Sequence, residues 1–155
     1  MFTKNDEAMM RLALEQAKAA LDEGEIPVGA VLARGDVLIA RAHNERERAC
    51  DPTSHAEINA LRMAAKETGR WRLSDLTMYV TLEPCPMCAG AIAMSGVKRL
   101  VFGAFDEKYG CAGSIYRLTE DPVFPNYCPA DGGLLKDECA SILNEFWKNT
   151  RKKEN

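Results

Sequence analysis

The stretch Thr81-Leu82-Glu83-Pro84-Cys85-Pro86-Met87-Cys88-Ala89-Gly90 constrains this chain more than any other. A β-branched and aromatic run at 77–82 leads into it, and an apolar run at 86–95 leads out. The first run has strand chemistry, because branched and aromatic side chains fit a pleated, half-buried surface. The second predicts a helix: Pro86 suits a first turn, where its missing N–H has no partner to lose. Cys85 and Cys88 therefore stand where a strand turns into a helix, three residues apart.

The rest of the chain repeats this alternation. Met10, Ala13, Leu14, Ala17 and Leu21 recur at helical spacing within 5–23, and Gly24 sits where such a helix ends. Two apolar runs, 27–34 and 37–43, meet at Gly35-Asp36, a two-residue hairpin signal. The polar segment 44–54 reads as a loop. Within 55–67, Ile58, Leu61 and Ala65 share a helical face, with Thr53 or Ser54 near the N-cap. A further strand is expected over 98–104, and irregular chain over 107–114 and 121–133. An amphipathic helix is expected over 134–153, with Leu135, Cys139, Ile142, Leu143 and Phe146 on its apolar face. This order of elements predicts an α/β sandwich, with helices on both sides of a mixed sheet. At 155 residues, with no repeat or low-complexity linker, residues 1–155 are expected to form one domain.

Two thiols spaced as Cys85 and Cys88 are can clip a structural metal, form a redox pair or bind a catalytic metal. The triplet His55-Ala56-Glu57 favours the last. His55 opens the preceding helix as the two cysteines open the next. Two adjacent parallel strands with crossover helices would bring both helix starts to one sheet edge, where open α/β sheets bind ligands. Imidazole and two thiolates suit zinc and leave a fourth position for water. Glu57 in the first helical turn can face the same point and move protons. Cys111 and Cys128 could instead complete a closed four-ligand site, but their spacing is irregular. They, with Cys50 and Cys139, read as small buried or loop residues. His43 reads as a strand-end residue.

The spaced motif His-x-Glu and Pro-Cys-x-x-Cys resembles that of the zinc-dependent nucleobase deaminases, a signature set down in general accounts of these enzymes. Residues 25–32, 51–62, 81–92, 100–114 and 134–147 resemble the bacterial tRNA adenosine deaminases along nearly the whole chain. The block at 101–114 points to this tRNA branch, and the glycine-rich stretch usual before the motif in riboflavin-pathway deaminases is absent. The resemblance implies a three-layer α/β/α sandwich with a mixed, mostly five-stranded sheet of the cytidine-deaminase type. It implies one Zn2+ per chain on His55, Cys85 and Cys88, with Glu57 as catalytic proton shuttle. Asn44 and the Ala56 N–H would hold the base, Asp106 would touch a neighbouring ribose, and Phe146 and Trp147 would meet the anticodon loop. Phe146 on its own pattern reads as core, and Trp147 is the better stacking candidate. The implied substrate is a tRNA anticodon stem-loop, deaminated from adenosine to inosine at the wobble position by a homodimer. The alternative is a deaminase of free nucleobases or nucleosides of guanine, cytosine or adenine type. Relatives often carry Asn-His and a basic residue where this chain has Asn126-Tyr127-Cys128.

Composition limits the partners. A net charge of −3 and a pI near 5.5 are not the broad basic footprint of a general nucleic-acid binder. Positive charge gathers instead at Arg46 and Arg48, at Lys98-Arg99, and at Lys148, Arg151, Lys152 and Lys153. No apolar run reaches membrane-spanning length and the N-terminus has no signal-type stretch, so no membrane partner, a cytoplasmic location and reduced cysteines are expected.

Overall fold

The computed structural model describes residues 1–155. Helix α1 (Lys4–Asp22) starts at Thr3, whose side chain and that of Asp6 cap each other's backbone N–H. It ends before Gly24, whose φ of +78° few other residues adopt. Strands β1 (Gly29–Arg34) and β2 (Val37–His43) form the expected hairpin about Gly35-Asp36, with Gly35 at φ +59°. Helix α2 (Ala56–Thr68), β3 (Thr77–Leu82), α3 (Pro86–Met94) and β4 (Arg99–Ala104) follow. A 3-10 turn (Leu118–Glu120), β5 (Ala130–Gly132) and α4 (Lys136–Lys153) complete the chain.

The five strands lie in the order β2-β1-β3-β4-β5. Strand β1 is antiparallel to both its neighbours, whereas β3, β4 and β5 are parallel. The strands that feed α2 and α3 are thus not adjacent, as the sequence reading expected, because β1 lies between them. Two antiparallel pairings in succession restore the direction, so β2 and β3 still run the same way. Both helices therefore start at one edge of the sheet.

Both faces of the sheet are covered. Along β3, Met78 and Val80 point into the core shared with Ala60, Leu61 and Ala64 of α2 and Ile92 of α3. Tyr79 points to the other side, toward Met9, Met10 and Ala13 of α1 and Cys139 of α4. The same alternation holds in β4, with Leu100 and Phe102 on one side and Val101 on the other. Strands buried on both faces read as continuous apolar runs, which is why β3 and β4 were legible in the sequence.

The N-cap of α2 is His55, with Thr53 and Ser54 directly before it as expected. Other boundaries moved for physical reasons. Strand β5 lies within the expected irregular segment and consists of Ala-Asp-Gly, residues with no strand preference of their own. It exists because the edge of β4 supplies partners from Leu100 to Phe102, and Arg99 pairs with Asp131 at 3.0 Å. Helix α4 begins at Lys136, after Leu135 turns the chain at φ +53°. Only Cys139 of α4 is fully buried, while Phe146 is half-buried rather than core.

Gly29 is where α1 presses onto the sheet. A Cβ there would lie 1.9 Å from the Ala13 carbonyl oxygen and 2.5 Å from the Ala17 nitrogen, both backbone atoms. Neither can swing aside. Gly29→Ala is therefore expected to destabilise the fold by about 3 kcal/mol, the upper end for overpacking. Urea unfolding with an unchanged m-value checks this, and a loss under about 0.5 kcal/mol would contradict the packing described.

Candidate active site

His55 and Cys85 occupy matching positions in the fold, as the N-cap residues of α2 and α3. Both have extended backbones (φ −78°, ψ 155° and φ −72°, ψ 174°), and neither side chain caps its own helix. They turn toward each other instead. His55 Nδ1 lies 3.6 Å from Cys85 Sγ and 3.5 Å from Cys88 Sγ. These three donor atoms form one potential metal-binding group, with none of the other cysteines in it.

The spacing tests whether a metal fits. A tetrahedral ion with sulfur at about 2.3 Å and nitrogen at about 2.0–2.1 Å places those donors roughly 3.5 Å apart. The observed separations match, so zinc fits without rearrangement. The group offers three ligands, the number that leaves a catalytic site one open position.

Charge is already organised around this point. Hydrogen bonding from Cys88, and then from His55, brings the Cys85 thiol down to about 4. The same bond to Cys85, with burial, raises the Cys88 thiol well above its ordinary range. The hydrogen bond to Cys85 also raises His55. Glu57, second residue of α2, is buried beside the two thiols. Burial raises its carboxyl to about 7, despite a bond from its own backbone.

Beside this group lies a cavity of about 910 Å³, at the upper end for small-molecule sites. Asn44, Ala56 and Glu57 line its inner part together with His55 and Cys85. Asn44 is buried, donates from Nδ2 to the Ile26 carbonyl at 3.2 Å and accepts from Arg46 N at 3.2 Å. An amide has two donors and two acceptor sites, so half its capacity still faces outward. The Ala56 N–H is the first of α2 and has no acceptor within the helix. Asp106 lines the outer wall. Its Oδ1 accepts from Lys108 N at 2.9 Å and Tyr109 N at 3.1 Å, which leaves Oδ2 for an outside partner. Trp147 of α4 also lines the cavity and is 46% exposed. Phe146 does not line it but packs edge-to-face on Trp147, with ring centroids 5.1 Å apart.

Three supporting residues escaped the sequence reading. Asn59 donates from Nδ2 to the His43 carbonyl and to Ser54 Oγ, each at 3.1 Å, tying the end of β2 to the start of α2. Glu25 is buried and accepts from Glu47 N at 3.2 Å and Arg48 N at 2.7 Å, holding the loop that carries Arg46. Glu83 is buried and binds the loop after β4. A polar residue on an otherwise apolar helical stretch (Asn59), or a carboxylate beside an apolar strand (Glu25, Glu83), was the available signal. His43 lies 2.9 Å from Glu23 and 3.8 Å from Glu45, but Arg48 also holds Glu23, at 2.7 Å. That cluster is a surface ion-pair network. No helix is long and apolar enough to cross a membrane.

Comparison with known proteins gives a consistent picture. The model of the MafB19-like deaminase family matches residues 4–131. A curated tRNA-specific adenosine deaminase of Bacillus subtilis is 46% identical over 149 residues, covering 96% of this chain and 92% of that protein. A solved structure from studies of A-to-I editing by tRNA:A34 deaminases at the wobble position of transfer RNA superposes with a TM-score of 0.84 at 41% identity, over 87% of this chain and 98% of that one. A guanine deaminase from Nitrosomonas europaea superposes with a TM-score of 0.79 at 26% identity, over 90% of this chain and 83% of that one.

Asn59 generates a prediction that is independent of the reaction. Asn59→Ala removes the bridge between the His43 carbonyl and Ser54, and is expected to cost about 1–2 kcal/mol in chemical unfolding. Stability equal to wild type would mean that the bridge holds nothing.

Proposed function

The chain belongs to the tRNA-specific adenosine deaminases, and on that premise we propose that it hydrolyses adenosine to inosine at the wobble position of a tRNA anticodon loop. The observation that carries this reading is the meeting of His55, Cys85 and Cys88 in one donor group beside an open cavity that His55, Glu57 and Cys85 line. We assign His55, Cys85 and Cys88 as ligands of one zinc ion per chain. When bound, that ion supplies a Lewis acid that brings the pKa of a water molecule near neutrality.

The remaining steps belong to side chains. Asn44 and the Ala56 N–H orient the adenine ring. Glu57 takes a proton from the attacking water and delivers it to ring N1 as oxygen adds to C6. It then takes the remaining proton from the new C6 hydroxyl and passes it to the amino nitrogen; the C6–N bond breaks, ammonia leaves and the C6 carbonyl of inosine remains. Burial of Glu57 suits this task, because a carboxyl held near 7 gives and accepts protons at neutral pH.

Trp147 offers an aromatic face at the cavity mouth, and Asp106 an acceptor for a ribose hydroxyl. Arg46 and Lys108 line the same opening. Basic Arg151, Lys152 and Lys153 form the last turn of α4, within reach of a flanking phosphate backbone. An anticodon base is unpaired, so drawing it into the cavity costs little stacking. A homodimer is part of the same reading. Exposed Met63 on α2 and Met94 on α3 leave apolar surface for a second copy to cover.

Elemental analysis is expected to give about one zinc per chain. His55→Ala or Cys85→Ala should abolish it, and Cys111→Ala should keep it. Retention in the first two with loss in the third would move the metal elsewhere.

Glu57→Gln is expected to keep the fold and the zinc while losing at least ~10²-fold in turnover. The substrate is settled by offering an anticodon stem-loop with a wobble adenosine beside free adenine, adenosine, guanine and cytosine. Inosine and ammonia should form from the stem-loop, at a rate that falls as salt rises. Rapid turnover of a free base with an inert stem-loop would replace the tRNA reading by the free-base alternative.

A further inference from the structure

Glu83 is 2% exposed, and four neutral donors surround its carboxylate. Oε2 accepts from Ala112 N at 3.2 Å and Ser114 N at 3.0 Å. Oε1 accepts from the Ser114 hydroxyl and, at a longer 3.4 Å, from Asp106 N. All four donors belong to one loop, the segment between β4 and the 3-10 turn. That loop supplies Phe105, Asp106, Lys108 and Tyr109 to the wall of the cavity. The anchor itself sits two residues before Cys85, and Cys111 N donates to the Pro84 carbonyl at 2.8 Å. One buried side chain therefore joins the outer wall of the cavity to the turn that carries Cys85.

The loop is shaped around that carboxylate. A Cβ on Gly110 would lie 2.2 Å from Glu83 Oε2, so only glycine lets the backbone pass over it. Glu83 acts here as an acceptor for that loop. Its charge is spent on orienting N–H groups that would otherwise be buried without partners.

We propose that Glu83 is a positioning residue for the deamination. It fixes the 105–114 loop relative to the Cys85 turn, so that Asp106 and Tyr109 meet the nucleotides around the target base in register with it. The proposal rests on the tRNA reading above. It assigns the loop to binding outside the reacting base. Loosening the loop should then weaken interactions made equally in ground state and transition state, which raises KM and leaves kcat nearly constant.

Glu83→Gln tests this with little change of shape, because it turns a donor toward a nest of donors. In the zinc-loaded variant, amide hydrogen exchange over 105–114 should accelerate by about 10-fold or more, with β3 and β4 unchanged. KM for the anticodon stem-loop should rise about 10-fold and kcat change less than about 3-fold, with zinc content unaltered. Ser114→Ala, which deletes one donor from a partly exposed residue, should shift both readouts the same way by less. A merely structural role would lower the active fraction and the melting temperature while KM stayed put, and that result would overturn the proposal. So would wild-type exchange and KM in Glu83→Gln. If Glu83→Gln does not fold, Ser114→Ala decides alone: a raised KM supports the proposal and an unchanged one overturns it. If wild-type protein leaves the stem-loop untouched, the substrate assignment fails by itself, and loop exchange still reports whether Glu83 holds the wall.

Discussion

Two helix N-termini aimed at one point are the constraint on which the site depends. Each carries a partial positive charge from unpaired N–H groups, so their approach is unfavourable unless negative charge lies between them. Here the residues at both starts answer that need. His55 Nδ1 sits 3.5–3.6 Å from two sulfurs, and the Cys85 thiol is brought down to about 4 by the hydrogen bonds it receives. Helix-start geometry, thiolate charge and metal-ligand spacing are one solution rather than three. It requires only that β2 and β3 run the same way, which the intervening antiparallel β1 ensures.

The opposite face of the sheet contributes by fixing where the cavity opens. α1 closes tightly on β1 because Gly29 has no side chain, and α4 closes on β4 because a Cβ at Gly103 would lie 2.3 Å from Cys139 Sγ. Asp6, 2% exposed, ties that side together: it accepts from Tyr79 Oη at 2.8 Å and pairs with Arg99 at 2.9 Å. α4 is anchored near its start by Cys139, and Trp147, farther along the helix, lines the cavity. A cavity-lining residue is thus placed by packing that occurs earlier in the same helix.

Much of this was legible in the sequence, for reasons specific to each element. Strands β3 and β4 are buried on both faces, so their composition alone marks them, and the Gly35-Asp36 hairpin needs a local backbone that few residues supply. The zinc-type donors were legible because helix starts carry recognisable punctuation. The three-residue β5 was not, since its partner strand creates it. The start of α2 was legible as well, with Thr53 and Ser54 just before the N-cap and His55 at it, where the structure aims its ring at the two thiols. Phe146 lies on the apolar face by periodicity, yet it is only half-buried and packs edge-to-face on the exposed Trp147.

Three buried glutamates show how environment divides roles among identical side chains. Glu25 accepts two backbone N–H groups and Glu83 three, with a hydroxyl in addition. Each is committed as an acceptor, and protonating either would break several bonds that hold a wall of the cavity. Glu57 is just as buried but lies beside the cysteine thiols rather than within a loop of donors. Its charge is therefore weakly held, and desolvation moves its carboxyl to about 7. Glu25 and Glu83 thus build the walls of the site through fixed donors, whereas Glu57 sits beside the His55, Cys85 and Cys88 group with its carboxyl moved by desolvation.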